Sequence, residues 1–418
     1  MMLSTSLIRI WLTRSFKPFV FKGRYDNKLD LNLPSAPGLY VHIPFCRRLC
    51  AFCPYCKQVY RKDDAALYKK ALLKEIGLVG ASQNHKIQAT SLYFGGGTPA
   101  LMLDDLAEII AALQIYFIIT DGIGVELHPD DVCEETLLKL KKAGVTMISI
   151  GIQSFDDNCL TALGRQTPDY AKIFAAVKAA DFTTVDMDLI FAIPTQTGES
   201  LKNDIDIAFA NGATQISTYP FIDFSFAENK QKPMNRKTKK RLLKEISEHC
   251  SAKGLKRTSV WTFAKPDTQK YSSITRDVFL GFGLSATSLL TRQFKINTFS
   301  LKAYCQRIAQ GQLPTALSLD FSLRQRACYY LFWSCYSLRA SEQKFADFFA
   351  LPLKKLYGFE LSLARLLGLI KKQKDQYILT ERGAYYYHLI EQAYTTAYID
   401  KMWSVARLDA FPKEIILK

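Results

Sequence analysis

The sequence predicts an α/β fold, a partial (β/α) barrel followed by a mainly helical, winged-helix-like tail. Three observations lead there. Six apolar, β-rich runs alternate with amphipathic helical stretches up to residue 220, a tight cysteine run follows the first of them, and after about residue 315 the pattern turns to short helices with a β-ribbon. The strands are expected at 38–43, 90–96, 122–127, 145–153, 183–194 and 213–220. Helices are expected between them at 64–81, 103–117, 134–143, 169–180 and 199–211. Barrels of this kind do their chemistry where the strands end, and the cysteine run falls at that face.

Three segments follow: a basic, aromatic arm (1–37), the barrel (38–314) and the winged-helix-like domain (315–418). In the tail, "FELSLARLLGLIKKQKDQYILTERGAYYYHLIEQ" (359–392) reads helix, ribbon, helix, with Thr380 capping the last helix and Glu381 and Arg382 in its first turn. Winged helices often bind DNA; a lid or packing role is the alternative in an enzyme's tail.

Composition bounds the function. With 418 residues and 48% hydrophobic content, the chain is well cored and globular. Its ten cysteines are too sparse for a secreted disulfide scaffold, and four of them sit in one run, which points to a reducing, cytoplasmic setting and a local metal site. The net charge of +16 fits an anionic substrate, an acidic membrane surface or nucleic acid. Aromatic-rich basic RNA-binding signatures are missing, so a nucleic-acid partner is not expected. No stretch approaches the length of a transmembrane helix. Residues 1–25 carry Arg9, Arg14, Lys17, Lys22 and Arg24, with Asp26 just beyond. Arg9 and Arg14 interrupt the apolar run too early for a signal peptide. One reading is an interfacial helix with Leu7, Ile8, Trp11 and Leu12 in lipid, aided by Phe16, Phe19 and Phe21, at the inner face of the membrane. The other is an arm packed on the barrel. The basic stretch from Lys230 to Lys244 reads as a solvated helix face, or else as a docking patch for an acidic partner.

Cys46, Cys50, Cys53 and Cys56 fall within eleven residues. Zinc sites of four cysteines usually show two C-x2-C knuckles with a spacer, and this run has none. Cys46-x3-Cys50-x2-Cys53 instead suits three corners of a [4Fe–4S] cube, leaving one iron open to a substrate or cofactor. With Phe52 before the third cysteine, this is the radical S-adenosylmethionine signature. A site closed by all four thiols is the alternative; Cys56 is expected to stand outside.

Six ordered segments, "YVHIPFCRRLCAFC", "YFGGGTPALM", "GVELHPDDV", "ISIGIQSFDDNCLTALGR", "DLIFAIPTQT" and "LGFGLSATS", resemble the oxygen-independent coproporphyrinogen III oxidase family, which includes haem chaperones and class C radical methyltransferases. The resemblance covers roughly residues 38–290, and the tail is also similar. It implies a radical S-adenosylmethionine barrel with one [4Fe–4S] cluster on Cys46, Cys50 and Cys53 and two S-adenosylmethionine molecules. Tyr40, Gly96 and Glu126 would serve the cluster-bound molecule. Phe52, Gly97, Thr98, Gln153, Arg165, Asp188, Ile222 and Thr287 would surround the second, Ile222 and Thr287 by alignment alone.

The residues bear separate readings. Glycines 95–97 permit close backbone approach, though a plain turn would use them too. Arg165 offers a planar fork for a carboxylate, or a surface ion pair. Glu126 suits hydroxyl donors, or is a solvated strand end. Tyr40 is otherwise a packed strand aromatic, and His42 reads as a hydrogen-bonded structural histidine. Two departures bear on the reaction: the family's "PRYTSYP"-like segment is missing, and Tyr55 stands where the oxidase has a further cysteine. Both put decarboxylation in doubt. The expected activity is reductive cleavage of S-adenosylmethionine to a 5′-deoxyadenosyl radical, fed by a flavodoxin- or ferredoxin-type donor. The expected substrate is flat and unsaturated: a tetrapyrrole or porphyrinogen, or an aromatic or quinone ring undergoing methylation. "STYPFIDFSF" (217–226) would line it, or simply pack. A haem carrier without turnover and a redox-sensing winged-helix regulator are the non-enzymatic readings.

Overall fold

The computed structural model describes residues 2–23, 29–227, 229, 232–271 and 277–418. Arg24, Asp26 and Lys230, counted in the charge patterns above, lie outside these residues.

All six expected barrel strands are present: β1 (Gly38–Ile43), β2 (Leu92–Gly96), β3 (Ile123–Leu127), β4 (Met147–Gln153), β5 (Thr184–Phe191) and β6 (Gln215–Pro220). They pair in parallel, each beside the next in chain order. The intervening helices, Lys62–Gly80, Leu103–Tyr116, Glu134–Lys142, Tyr170–Ala180 and Gly198–Ala210, cover the outer face. Alternation along each strand divides the side chains. Leu39, Val41 and Ile43 go to the helix-covered core, and so do Ile148, Ile150 and Ile152. The other face gives the lumen Tyr40, Tyr93, Glu126, Ser149, Asp186, Asp188, Gln215 and Ser217. The barrel stays open. Beyond β1 runs the parallel strand Phe279–Phe282 followed by antiparallel strands, and beyond β6 the antiparallel Thr262–Ala264.

The short helix Asp157–Ala162 was not anticipated. At one and a half turns it carries little periodicity, and its start depends on Asp156 accepting from the Asn158 amide. It delivers the chain to Arg165.

The arm packs. Strand Phe19–Lys22 lies between Glu414–Leu417 and Thr315–Asp320, antiparallel to both, so the sheet runs across both segment boundaries. Phe21 is buried in a second core, and Phe19 meets Phe321 and Tyr398 edge-on. Strand pairing and core packing thus bury Phe21 and cover Phe19 in part. Arg9 is buried and donates to the Lys17 carbonyl at 2.5 Å, while Arg14 pairs with Glu360 at 2.8 Å. Leu7 (58% exposed) and Phe16 (87% exposed) face outward.

The tail has the expected helix Leu353–Leu366, the ribbon strands Ile370–Gln373 and Gln376–Leu379, and the helix Glu381–Tyr394, whose cap Thr380 accepts from the Gly383 amide. A third ribbon strand, Arg339–Ser341, completes the wing. The tail seals against the barrel's open side, where the Val260 amide donates to the Tyr336 carbonyl and the Trp261 indole to His388 Nδ1. A π-helical turn, Thr395–Ile399, leads into the last helix, Asp400–Leu408. The expected solvated basic face on Arg236–Ala252 needs one correction. Lys239 is buried, its ammonium donating to the Phe221 carbonyl at 2.9 Å, because a helix turning every 3.6 residues puts one of five nearby cations on the core side.

Candidate functional site

Strand β1 delivers the chain to the loop 44–60 at the barrel mouth, where Cys46, Cys50 and Cys53 are half-buried free thiols. The loop is folded by its own backbone: the Cys53 amide donates to Cys50, Tyr60 to Cys46 and Gln58 to Pro44. It is also stitched to the glycine run ending β2, where the Gly97 amide donates to Ile43 and the Thr98 amide to Phe45, both at 2.7 Å. Two glycines are required there. Gly96 has φ +119°, and a Cβ on it would fall 2.6 Å from the His42 ring; a Cβ on Gly97 would fall 2.5 Å from the Phe45 carbonyl. The buried Thr98 hydroxyl points at Cys46 Sγ at 3.9 Å, close enough to donate.

Cys56 is placed otherwise. It is buried in the main core, its thiol donating to the Phe299 carbonyl at 3.7 Å and its own carbonyl accepting from His42 Nε2 at 2.8 Å. Since a carbonyl can only accept, His42 carries its proton on Nε2, and Nδ1 accepts from Tyr40 at 3.0 Å. Burial lowers His42 to about 4, so it stays neutral and ties β1 to the loop.

Below the loop the lumen is acidic and aromatic. Glu126 accepts from the Tyr93 hydroxyl at 2.6 Å and, on its other oxygen, from the Gly96 amide at 3.0 Å. Burial raises its pKa. Asp188 sits at a bulge in β5, accepting from Ser149 at 3.0 Å; two residues earlier on the same face, Asp186 accepts from Ser217 at 2.8 Å. Burial drives both pKa values up, Asp186 to about 7 and Asp188 well above the usual range, and their mutual repulsion adds to the effect on Asp188. Beside these carboxyls Tyr40 stacks on Tyr93, centroids 6.1 Å apart, and Tyr271 meets Tyr93 at a tilt, centroids 4.8 Å apart.

Arg165 approaches from the helix side. Its Nη1 donates to the Gly151 carbonyl at 2.6 Å, and its guanidinium lies 5.5 Å from the Phe52 ring centroid. Gln153, with φ +73°, turns back over Gly151 toward the same guanidinium. Phe52, Arg165, Gln153 and Gly151 therefore meet, on the wall that also holds Asp188. Ile222 follows β6 next to Phe221, which shares an apolar cluster with Phe52. Thr287 opens the strand Thr287–Leu289, its backbone against Gly281 and one strand removed from β1.

Sequence reasoning missed several residues here. Asp186 had a signal, since its i−2 spacing from Asp188 on a strand puts both on one face. Tyr93 and Tyr271 carried none beyond ordinary packing. Along "STYPFIDFSF", Phe221 and Phe224 are buried, while Tyr219 is 37% exposed toward the lumen. Phe224 stacks on Trp403 of the last helix, and Tyr55 also contacts Trp403, so the tail completes this aromatic wall.

The donor set fits the group the cysteine spacing implies. Among the described residues no three His, Cys, Asp or Glu side chains are arranged around one metal ion. A cubane does not call for such an arrangement, since its thiolates each bind a different iron. Burial pushes the Cys46 thiol up to about 11, so ligation would release protons. Buried atoms without partners, Arg165 Nε and Asp186 Oδ1, flank the lumen as a polar ligand would require.

Residues 40–208 match the model of the radical SAM superfamily. The chain is 28% identical over 329 residues to an oxygen-independent coproporphyrinogen III oxidase of Bradyrhizobium diazoefficiens, covering 72% of this chain and 73% of that protein. It is 25% identical over 365 residues to the heme chaperone HemW of Bacillus subtilis, covering 82% of this chain and 95% of that one. The coproporphyrinogen III oxidase HemN of Escherichia coli shares the fold, with a TM-score of 0.74 at 22% identity over 93% of this chain and 98% of that one. Residues 40–208 thus carry a radical SAM domain, and the chain as a whole is similar to the coproporphyrinogen III oxidases and the related heme chaperones.

Proposed function

We propose that this protein is a radical enzyme in which Cys46, Cys50 and Cys53 hold a [4Fe–4S] cluster and the lumen holds S-adenosylmethionine, two molecules when fully loaded. One observation carries the reading: three half-buried thiols on a single loop, stitched to the Gly95–Gly97 turn and facing an acidic lumen. A cluster with bound S-adenosylmethionine supplies the electron that cleaves the sulfonium and frees a 5′-deoxyadenosyl radical for hydrogen abstraction.

The chain's own residues then orient and insulate. Gly96 and Glu126 present an amide-backed carboxyl to hydroxyl or ammonium donors, with Tyr40 alongside. Phe52, Gly97, Thr98, Gln153, Arg165 and Asp188 frame the second cofactor, with Ile222 and Thr287 further out. Asp186 and Asp188 together retain a proton near neutral pH, so the lumen offers an O–H donor beside an acceptor. The aromatic wall of Tyr55, Phe224 and Trp403 suits a flat unsaturated substrate, a tetrapyrrole or a quinone-like ring. We assign the arm to 1–37, the barrel to 38–314 and the winged-helix-like domain to 315–418. A flavodoxin- or ferredoxin-type protein would deliver the electron, and Leu7 and Phe16 would give peripheral contact with a membrane holding a lipophilic substrate. Similarity along 95% of a heme chaperone favours haem delivery without turnover as the second reading.

The test is anaerobic reconstitution followed by addition of a reductant. Wild type should carry one cluster and release 5′-deoxyadenosine. Cys46→Ala, Cys50→Ala and Cys53→Ala should each lose most of the iron and all cleavage, whereas Cys56→Ala keeps both. Loss of the cluster in Cys56→Ala would favour a closed four-thiolate site. A loaded wild type that releases no 5′-deoxyadenosine with porphyrinogen or quinone present would favour the carrier.

A further inference from the structure

Two cations grip the cysteine loop, and neither is accounted for by the cofactor contacts above. Lys57 follows the cysteine run, and its ammonium turns back to donate to the carbonyls of Cys50 at 2.8 Å and Cys53 at 2.5 Å. It thereby crosslinks the two peptide units that carry two of the three thiols. From 350 residues further along the chain, Arg407 on the last helix donates to the Pro54 carbonyl, next to Cys53. Its guanidinium lies 4.5 Å from the Phe226 ring centroid and 5.8 Å from that of Phe299, and its Nε is buried without a partner.

Among the described residues neither cation has a carboxylate within ion-pair distance, whereas Arg47, on the same loop, pairs with Asp131. Lys57 lies close enough to act electrostatically on Cys46, Cys53 and Cys56, and Arg407 on Cys53 and Cys56. Both cations are half-buried, and positive charge so placed is costly without a counter-charge; among the described residues its anionic neighbours would be the thiolates and what they bind.

We propose that Lys57 and Arg407 are positioning residues that hold the loop by its own carbonyls and raise the reduction potential of the cluster bound by Cys46, Cys50 and Cys53. The inference rests on the cluster reading given above. Reduction adds one negative charge to the cluster, and a nearby cation stabilises the reduced form more than the oxidised one. Arg407 also makes the last helix part of the electron-accepting site, since the same helix receives the substrate-wall segment through Asp400, which accepts from the Ser225 amide and hydroxyl.

The experiment uses the full chain, reconstituted anaerobically, as wild type, K57M, K57R and R407M. Iron per chain, the rate of iron loss to a chelator and the midpoint potential from an EPR-monitored redox titration are measured. K57M should lower the midpoint so that the ratio of reduced to oxidised cluster at a fixed potential falls about tenfold, equivalent to 59 mV for one electron. K57R should stay near wild type, and R407M should shift in the same direction as K57M. Both methionine variants should lose iron faster. Should K57M hold no iron at all, R407M carries the test with the same expected direction. Wild-type midpoints in both K57M and R407M, or a shift in K57R as large as that in K57M, would overturn the proposal. A wild type that takes up no cluster would instead overturn the reading beneath it.

Discussion

Arg165 shows how a single residue gathers the site. One edge of its guanidinium is tied to the Gly151 carbonyl, its face lies over Phe52, and its buried Nε has no partner. A fork held on one edge and open on the other is suited to a carboxylate such as the methionine carboxylate of S-adenosylmethionine. Arg165→Ala should therefore abolish or weaken one of two bound equivalents in equilibrium dialysis while the iron content stays at wild type. The loss of the contact with Phe52 should cost only about 0.5–1 kcal/mol of stability. If wild type binds a single equivalent, the second cofactor site does not exist. The sequence offered Arg165 as either a ligand or an ion pair; among the described residues it makes no ion pair, because the helix Asp157–Ala162 turns it inward to the Gly151 carbonyl.

At the scale of elements, the arm is the segment whose role pairing decides. Its amphipathic helix, Met2–Thr13, and its aromatics suit lipid and packing equally well on paper. The neighbouring strands settle Phe21 and engage Phe19, since a four-residue strand with partners on both sides satisfies its backbone, buries the Phe21 ring and half-buries that of Phe19. What faces outward is Leu7, Ile8 and Phe16. A deletion of the whole arm would damage the sheet, so the better probe is the double variant Leu7→Ser, Phe16→Ser. Wild type should co-sediment with anionic vesicles at low salt and this variant several-fold less, each well-placed cation contributing roughly 1 kcal/mol. Equal binding, or none by either, removes the membrane contact.

Across the whole molecule, Glu75 joins distant segments. From the helix Lys62–Gly80 its carboxyl accepts from the Gly283 amide at 2.7 Å, Tyr304 at 2.6 Å and Asn297 at 3.0 Å, fixing the loop that packs beneath Cys56. Burial raises it to about 7 against those three donors. A carboxyl whose folded pKa exceeds its unfolded value binds more protons when folded, so its stabilising contribution is full below about pH 4 and falls as pH rises toward 7. Relative to Glu75→Gln, wild type should lose about 1–3 kcal/mol of unfolding free energy between pH 5 and pH 8, measured by urea denaturation. A difference independent of pH would show that Glu75 is ionised throughout. His42 and His388, lowered by burial to about 4 and about 3, act in the opposite sense, withdrawing stability as pH falls below the unfolded histidine value. Both variants retain them, so they cancel in the comparison.

The strands, the crossover helices and the wing were legible in the sequence because their signal is local: alternation in strands, 3.6-residue periodicity in helices, a threonine cap at Thr380. The loop of Cys46, Cys50 and Cys53 was legible for the same reason, since one short segment supplies all three thiols. Only the tertiary structure could decide which side each ambiguous residue serves. Cys56 lies three residues from Cys53 yet belongs to the core, because His42 and Phe299 claim its carbonyl and thiol. Lys239 looked solvated and is not. Arg407 reaches Pro54 across 353 residues, and Trp403 reaches Tyr55 from the same helix. Contacts between segments so far apart leave no period or spacing in the chain, so they exist as information only after the barrel's open side has been closed by its tail.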